Sequence, residues 1–212
     1  MKKYKKYVIL VFLTMGSQAL FYFLIKSFLN DFNVIDSFIK IPLIKEFIYF
    51  YSSWYPFIIL NTFLIYKKDD KIFNYVIISM LFGTFLSHIT FIIYPSIIVR
   101  PTIVVNNFTD WLLDFTYRTD SPAVNCLPSM HAVYCFITSF HILKCKNLKL
   151  KFKILIVTYS MLIVASTVFI KQHVVEDLIL AFIYSMIAIV FVHLNKERIN
   201  QLFNKIAKKI NF

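Results

Sequence analysis

Runs of about twenty apolar residues follow one another along this chain with only short polar breaks, a pattern that restricts the fold severely. They extend from Tyr7 to about Leu29, Phe47 to Tyr66, Ile72 to Tyr94, Pro128 to Leu143, Ile154 to Ile170 and Val174 to Leu194. In a bilayer core the backbone must satisfy its own polar groups, so each run is predicted to be a helix. The chain has 212 residues, 59% hydrophobic and 16% charged, which leaves no polar stretch large enough for a separate soluble domain. The expectation is one all-α polytopic membrane domain over residues 1–212, with six transmembrane helices in a bundle. Ser17-Gln18-Ala19 has the look of a signal-peptide cleavage site, but the apolar run continues past it through Leu20–Ile25, so an uncleaved first span is predicted.

The connections differ in character. Residues 30–46 read as an external loop with an interfacial helix, and Pro56 as a kink in the second span. Residues 95–127 form the longest polar connection, with a short interfacial helix around Asp110–Asp114. The tail, about 195–212, is basic and amphipathic and suits the membrane surface. Cys126, Cys135 and Cys145 lack metal-ligand spacing and read as structural thiols, with Cys126 set apart by its place two residues before Pro128.

The net charge of +12 is distributed unevenly. With six spans, one side carries Lys2, Lys3, Lys5, Lys6, Lys67, Lys68, Lys71, the lysines from Lys144 to Lys153, Lys196, Arg198, Lys205, Lys208 and Lys209. The other carries Lys40, Lys45, Arg100, Arg118 and Lys171. The positive-inside rule then puts both termini in the cytoplasm and explains the basic character without a nucleic-acid partner. It also gathers three polar patches at the extracytoplasmic ends of the spans: Arg100-Pro101, Pro128-Ser129-Met130-His131, and Lys171-Gln172-His173 with Asp177.

Ionisable groups in such segments are functional candidates. His173 and Asp177, four apart, share one helix face, so the carboxylate can orient the imidazole and leave its other nitrogen as nucleophile or base. Glu176 is an alternative partner three residues away. Proline at the first turn leaves the amides of Ser129 and Met130 free for an anion, with His131 as proton donor. Arg100 can grip phosphate oxygens in a bidentate way, and Lys171 adds a point charge. Taken singly, each patch also fits a plain role: helix capping by Ser129, snorkelling by Arg100 and Lys171, an interfacial His–acid pair. His88, His141 and His193 are assigned to packing or interfacial roles, away from the patches, and Asp110, Asp114 and Asp120 to a solvated loop face, with headgroup binding as the alternative.

In combination and order, Arg-Pro, Pro-Ser-x-His and His-x-x-x-Asp resemble the type 2 phosphatidic acid phosphatase superfamily over roughly residues 90–195. The family pattern also has a lysine where this chain has Ile93, an arginine where it has Thr167 and a glycine where it has Met130. Leu127–His131 and Lys171-Gln172-His173 look more like the branch that includes inositol phosphorylceramide synthases. The resemblance implies a metal-independent lipid phosphatase without cofactor, acting on lipid phosphates or diphosphates. In it His173 would be the nucleophile, Asp177 its orienting acid, His131 the general acid, and Arg100, Ser129, Met130 and Lys171 the phosphate-binding groups. A lipid phosphotransferase is the alternative within this chemistry, and a non-catalytic lipid-headgroup binder or transporter the alternative outside it. The low glycine content and abundant Ile, Lys, Asn and Phe suggest an AT-rich bacterial genome and hence the plasma membrane.

Overall fold

A computed structural model of the chain describes residues 4–28 and 31–210, with side chains described as far as Lys205. Lys2, Lys3, Lys208 and Lys209, assigned above to the cytoplasmic side, therefore lie outside the described side chains. The described chain is almost wholly helical: α1 Lys5–Phe28, α2 Ile48–Ser52, α3 Trp54–Lys68, α4 Asp70–Ile93, α5 Phe108–Thr119, α6 Met130–Lys144, α7 Leu150–Phe169, α8 Val175–Leu194 and α9 Lys196–Ile210. A single turn of 3-10 helix at Lys45–Phe47 leads into α2. Five segments are long and apolar enough to cross a membrane: Lys5–Phe28, Lys45–Lys68, Asp70–Ile93, Leu150–Phe169 and Val175–Leu194. Their outer faces carry exposed Phe12, Leu20, Phe23, Leu60, Ile93 and Leu155, which suit acyl chains and not water.

The fourth apolar run behaves differently. As the 15-residue helix α6 it is only about 22 Å long, shorter than a bilayer core of about 30 Å. It runs through the centre of the bundle, packed by α3, α4, α7 and α8, with Val133, Tyr134, Cys135 and Ile137 fully buried. A helix sheathed by its neighbours does not have to match the lipid thickness.

Polar residues inside these helices mostly satisfy themselves. Thr14, Ser87, Thr138 and Ser185 each donate to the carbonyl four residues earlier at 2.7–2.8 Å. A few tie helices together: Tyr7 Oη donates to the Ile59 carbonyl at 2.7 Å, and Thr84 Oγ1 meets Tyr134 Oη at 2.9 Å. The two glycines are not equivalent. Gly83 faces the crossing of α4, α6 and α8, where an added Cβ would lie 3.0 Å from Val133 Cγ1 and 3.2 Å from Ile137 Cδ1. Gly83→Leu is expected to overpack this crossing by about 1–3 kcal/mol or more. A thermal unfolding midpoint in detergent equal to that of the wild type would refute this packing.

Two local expectations are corrected. The second span does not kink at Pro56; it breaks at Ser53, and Pro56 sits in the first turn of α3. Proline lacks the N–H that would bond the Ser52 carbonyl, so it belongs at a helix start. The loop at 31–44 contains no helix. Instead Asn33–Val34 (β1) pairs in parallel with Ser96–Ile97 (β2), and an Ile97–Val124 bridge joins the later loop to them. In addition, α9 packs Ile199 and Phe203 against Leu10, Tyr75, Ile78 and Val192.

The segment predicted around Asp110–Asp114 is α5, capped by Asn107, whose side chain accepts from the Asp110 amide at 2.9 Å. Leu113 is fully buried against Ile48 and Ile170, and Tyr117 Oη donates to the Ile170 carbonyl at 2.5 Å. Asp110 is not on a solvated face: it is 2% exposed and pairs with Lys45 at 2.7 Å. The hydrogen bond from Lys45, aided by the Asn106 and Asn107 amides, holds its carboxyl below the usual carboxylate range. A depressed folded pKa contributes stability above the unfolded value of about 4 that is lost as pH falls through the folded one. Asp110→Asn should therefore lower the melting temperature at neutral pH, with the deficit shrinking below about pH 4. A deficit independent of pH would contradict the pairing.

Candidate active site

The turn between α7 and α8 positions the central pair. Ile170 closes α7, and Lys171 then adopts φ 56°, a left-handed conformation uncommon for a side chain of this size. This reversal lets the amides of Gln172 and His173 both donate to the Thr167 carbonyl, at 2.9 and 3.0 Å. Four residues on from His173, Asp177 reaches back. Its Oδ2 accepts from the Val174 amide at 3.1 Å and meets His173 Nδ1 at 2.9 Å. Asp177 is fully buried, so its carboxylate fixes the proton on Nδ1 and leaves Nε2 as the free nitrogen. Glu176, the alternative partner, faces elsewhere and accepts from Ser37 Oγ at 2.9 Å and the Phe38 amide at 3.1 Å.

His173 lines a cavity of about 70 Å³ together with Arg100 and His131, so one residue from each polar patch meets there. His131 lies in the first turn of α6, its ring 6.0 Å from that of His173 and packed against Tyr51 at 4.6 Å and Trp54 at 4.4 Å. These aromatic walls fix its orientation without bonding its nitrogens. Arg100 lies over the Tyr117 ring at 5.1 Å and donates to the carbonyls of Asp120, at 3.2 Å, and Tyr117, at 3.4 Å. Its Nη2 also contacts the Asp120 carboxylate and the Gln172 side-chain oxygen. The Tyr117 hydroxyl beneath is pushed up to about 12 by burial.

Not every candidate meets in this cavity. Ser129 is fully buried as the N-cap of α6, its Oγ accepting from the Ala132 amide at 3.4 Å, and it does not line the cavity. Because α6 begins at Met130, Pro128 stands before the cap and not in the first turn. Met130 does line the cavity. Lys171 points away, its ammonium on the Ile41 carbonyl, and borders a separate cavity of about 580 Å³ that shares Arg100 and His173. The left-handed turn that aims His173 inward sends its neighbour's side chain outward.

Other groups in the cavity escaped the sequence reading. Asp120, assigned to a solvated loop face, stands opposite Arg100 and accepts from Tyr22 Oη at 2.6 Å. Gln172 and Asn125 are nearly buried, with Gln172 Nε2, both Asn125 amide atoms and Arg100 Nε lacking a partner within the chain. Buried polar atoms of this kind call for a polar ligand. His88 also lines the cavity, stacked on Phe21 at 3.7 Å, which corrects its placement away from the patches. His141 and His193 are elsewhere, bonded to the Ile137 carbonyl at 2.9 Å and to Lys196 at 2.8 Å. Gln172 had a signal in its position beside His173 and Asp120 in its acidic loop, open to a headgroup role, whereas Tyr22 had none. Cys126 borders the cavity as a free thiol, and burial pushes its pKa up, so it is poorly suited as a nucleophile.

The arrangement offers an oriented imidazole, a second imidazole, a guanidinium and unpartnered amide donors around one small polar space. Such a set can bind a tetrahedral anion and exchange a group on it. Among the described residues, no group of three or more His, Cys, Asp or Glu is placed to hold a metal ion. Comparison with protein-family models, with curated proteins and with solved structures finds no match to this chain.

Proposed function

We propose that this chain is an integral-membrane enzyme that cleaves phosphate esters of lipids through a phosphohistidine on His173. The observation that carries the reading is the Asp177–His173 pair facing a cavity shared with Arg100 and His131. Nε2 of His173 attacks phosphorus, and the ester oxygen leaves as an alcohol that takes its proton from His131. Asp177 holds the ring and balances the positive charge that develops on it. Arg100, Gln172 and the Asn125 side chain stabilise the phosphoryl oxygens. Water, deprotonated by His131, then attacks phosphorus, releases phosphate from a monoester or the headgroup phosphate from a diester, and restores both histidines. The same intermediate passed to an alcohol makes the enzyme a transferase.

In this reading α6 completes a six-span topology, with the site on the extracytoplasmic face of a bacterial plasma membrane. Basic residues at the opposite end of the bundle, where Lys6 pairs with Asp70 at 2.7 Å, support that orientation. A cysteine at the exposed Val104 position should react with a membrane-impermeant maleimide in intact cells, and one at Lys68 only after permeabilisation. The native cysteines are buried and should stay silent. The reverse labelling pattern would invert the topology. The activity itself is tested by phosphate release from a panel of lipid phosphates in detergent with chelator present. Absence of both hydrolysis and transfer to added alcohols, in folded protein, would refute it.

A further inference from the structure

Behind His131, away from His173, lies a third cavity, of about 340 Å³, between α1, the α2–α3 junction and α5. Its lining includes Tyr22, Tyr51, Tyr55, His131 and the Asp120 carboxylate. Tyr22, Tyr51, Asp120 and His131 also line the reaction cavity, so the two adjoin. Three phenol rings around one carboxylate suit an organic cation, which gains from the ring faces and from the negative charge together. Lys26 stands at its edge: the ammonium is held on the Ser121 carbonyl at 2.5 Å and lies 5.8 Å from the Tyr22 ring centroid, without lining the cavity.

Charge balance narrows the ligand further. Asp120 and Arg100 are paired at present, and Tyr22 Oη satisfies the other carboxylate oxygen. A phosphate that takes Arg100 strips Asp120 of its cation. A phosphate dianion would then face a freed carboxylate in a confined space, since among the described residues lining the reaction cavity no lysine or arginine accompanies Arg100. A phosphodiester with an ammonium headgroup avoids that conflict, because its phosphate takes Arg100 while its ammonium replaces Arg100 at Asp120. We infer that the tyrosine-lined cavity is the headgroup subsite for a zwitterionic phosphodiester lipid, with Asp120 as the counter-ion of its ammonium group. This inference rests on the phosphoryl-transfer reading of the adjoining cavity.

The test compares two soluble monoanionic diesters, glycerophosphocholine and glycerophosphoglycerol, by calorimetric titration of the full chain in detergent. They share the phosphodiester and differ in the headgroup charge. The wild type is expected to bind the choline compound about tenfold more tightly. Asp120→Asn should remove that preference without weakening the glycerol compound, since Arg100 is released. Tyr55→Leu, at a partly exposed ring, should reduce the preference by about threefold. Equal binding of the two diesters by the wild type, or a preference that survives Asp120→Asn, overturns the inference. Asp120→Asn weakening both diesters alike would show that the carboxylate only positions Arg100, and would overturn it too. The enzymatic reading fails separately: an intact choline preference with no His173-dependent turnover of any lipid would leave a headgroup-binding site without the reaction.

Discussion

Replacing His173 with alanine is expected to abolish phosphoryl transfer, with turnover falling by roughly 10⁴-fold or more, as for loss of other enzymatic nucleophiles. The side chain is joined to the rest of the protein by its bond to Asp177, so alanine also strands a buried carboxylate. Part of any loss could therefore come from instability. His173→Asn separates the two effects. Its amide can still donate to Asp177 but cannot attack phosphorus, so it should be as inactive as alanine while melting closer to the wild type. A direct readout is the covalent intermediate. Protein quenched during turnover of a radiolabelled lipid phosphate should carry label that is labile to acid and stable to base, as a phosphoramidate is, and absent from both variants. Turnover by His173→Asn above about a hundredth of the wild-type rate would exclude histidine as the nucleophile.

The second large effect is expected at Asp177. The carboxylate accepts from both the His173 ring and the Val174 amide through one oxygen, Oδ2. Asparagine preserves the shape and can still cap α8, so folding should be nearly intact. It loses the negative charge that balances a cationic phosphohistidine. It can also turn its NH₂ toward Nδ1, which moves the ring proton to Nε2 and blocks the attacking lone pair. A fall in kcat of roughly 10³–10⁴-fold follows, with little change in KM, because the residue does not line the cavity. A rise in KM at constant kcat would instead mean that Asp177 shapes substrate binding and not the nucleophile.

The sequence alone determined the elements whose causes are local. Apolar runs became helices because a continuous hydrophobic surface and internally bonded backbone are properties of a single segment. The His173–Asp177 contact was legible for the same reason: four residues is one helical turn. What only the tertiary structure decided is the company these residues keep. Asp120 meets Arg100 across 20 residues, Gln172 meets it across 72, and Tyr22 reaches Asp120 across 98. No periodicity encodes such meetings; they follow from how α1, α5 and the α7–α8 turn stack at one end of the bundle. Ser129 and Lys171 show the converse. Both carried suitable chemistry, but the start of α6 claimed one as a cap and the left-handed turn aimed the other at Ile41. Sequence supplied the groups at the helix ends, and packing chose which of them face the same cavity.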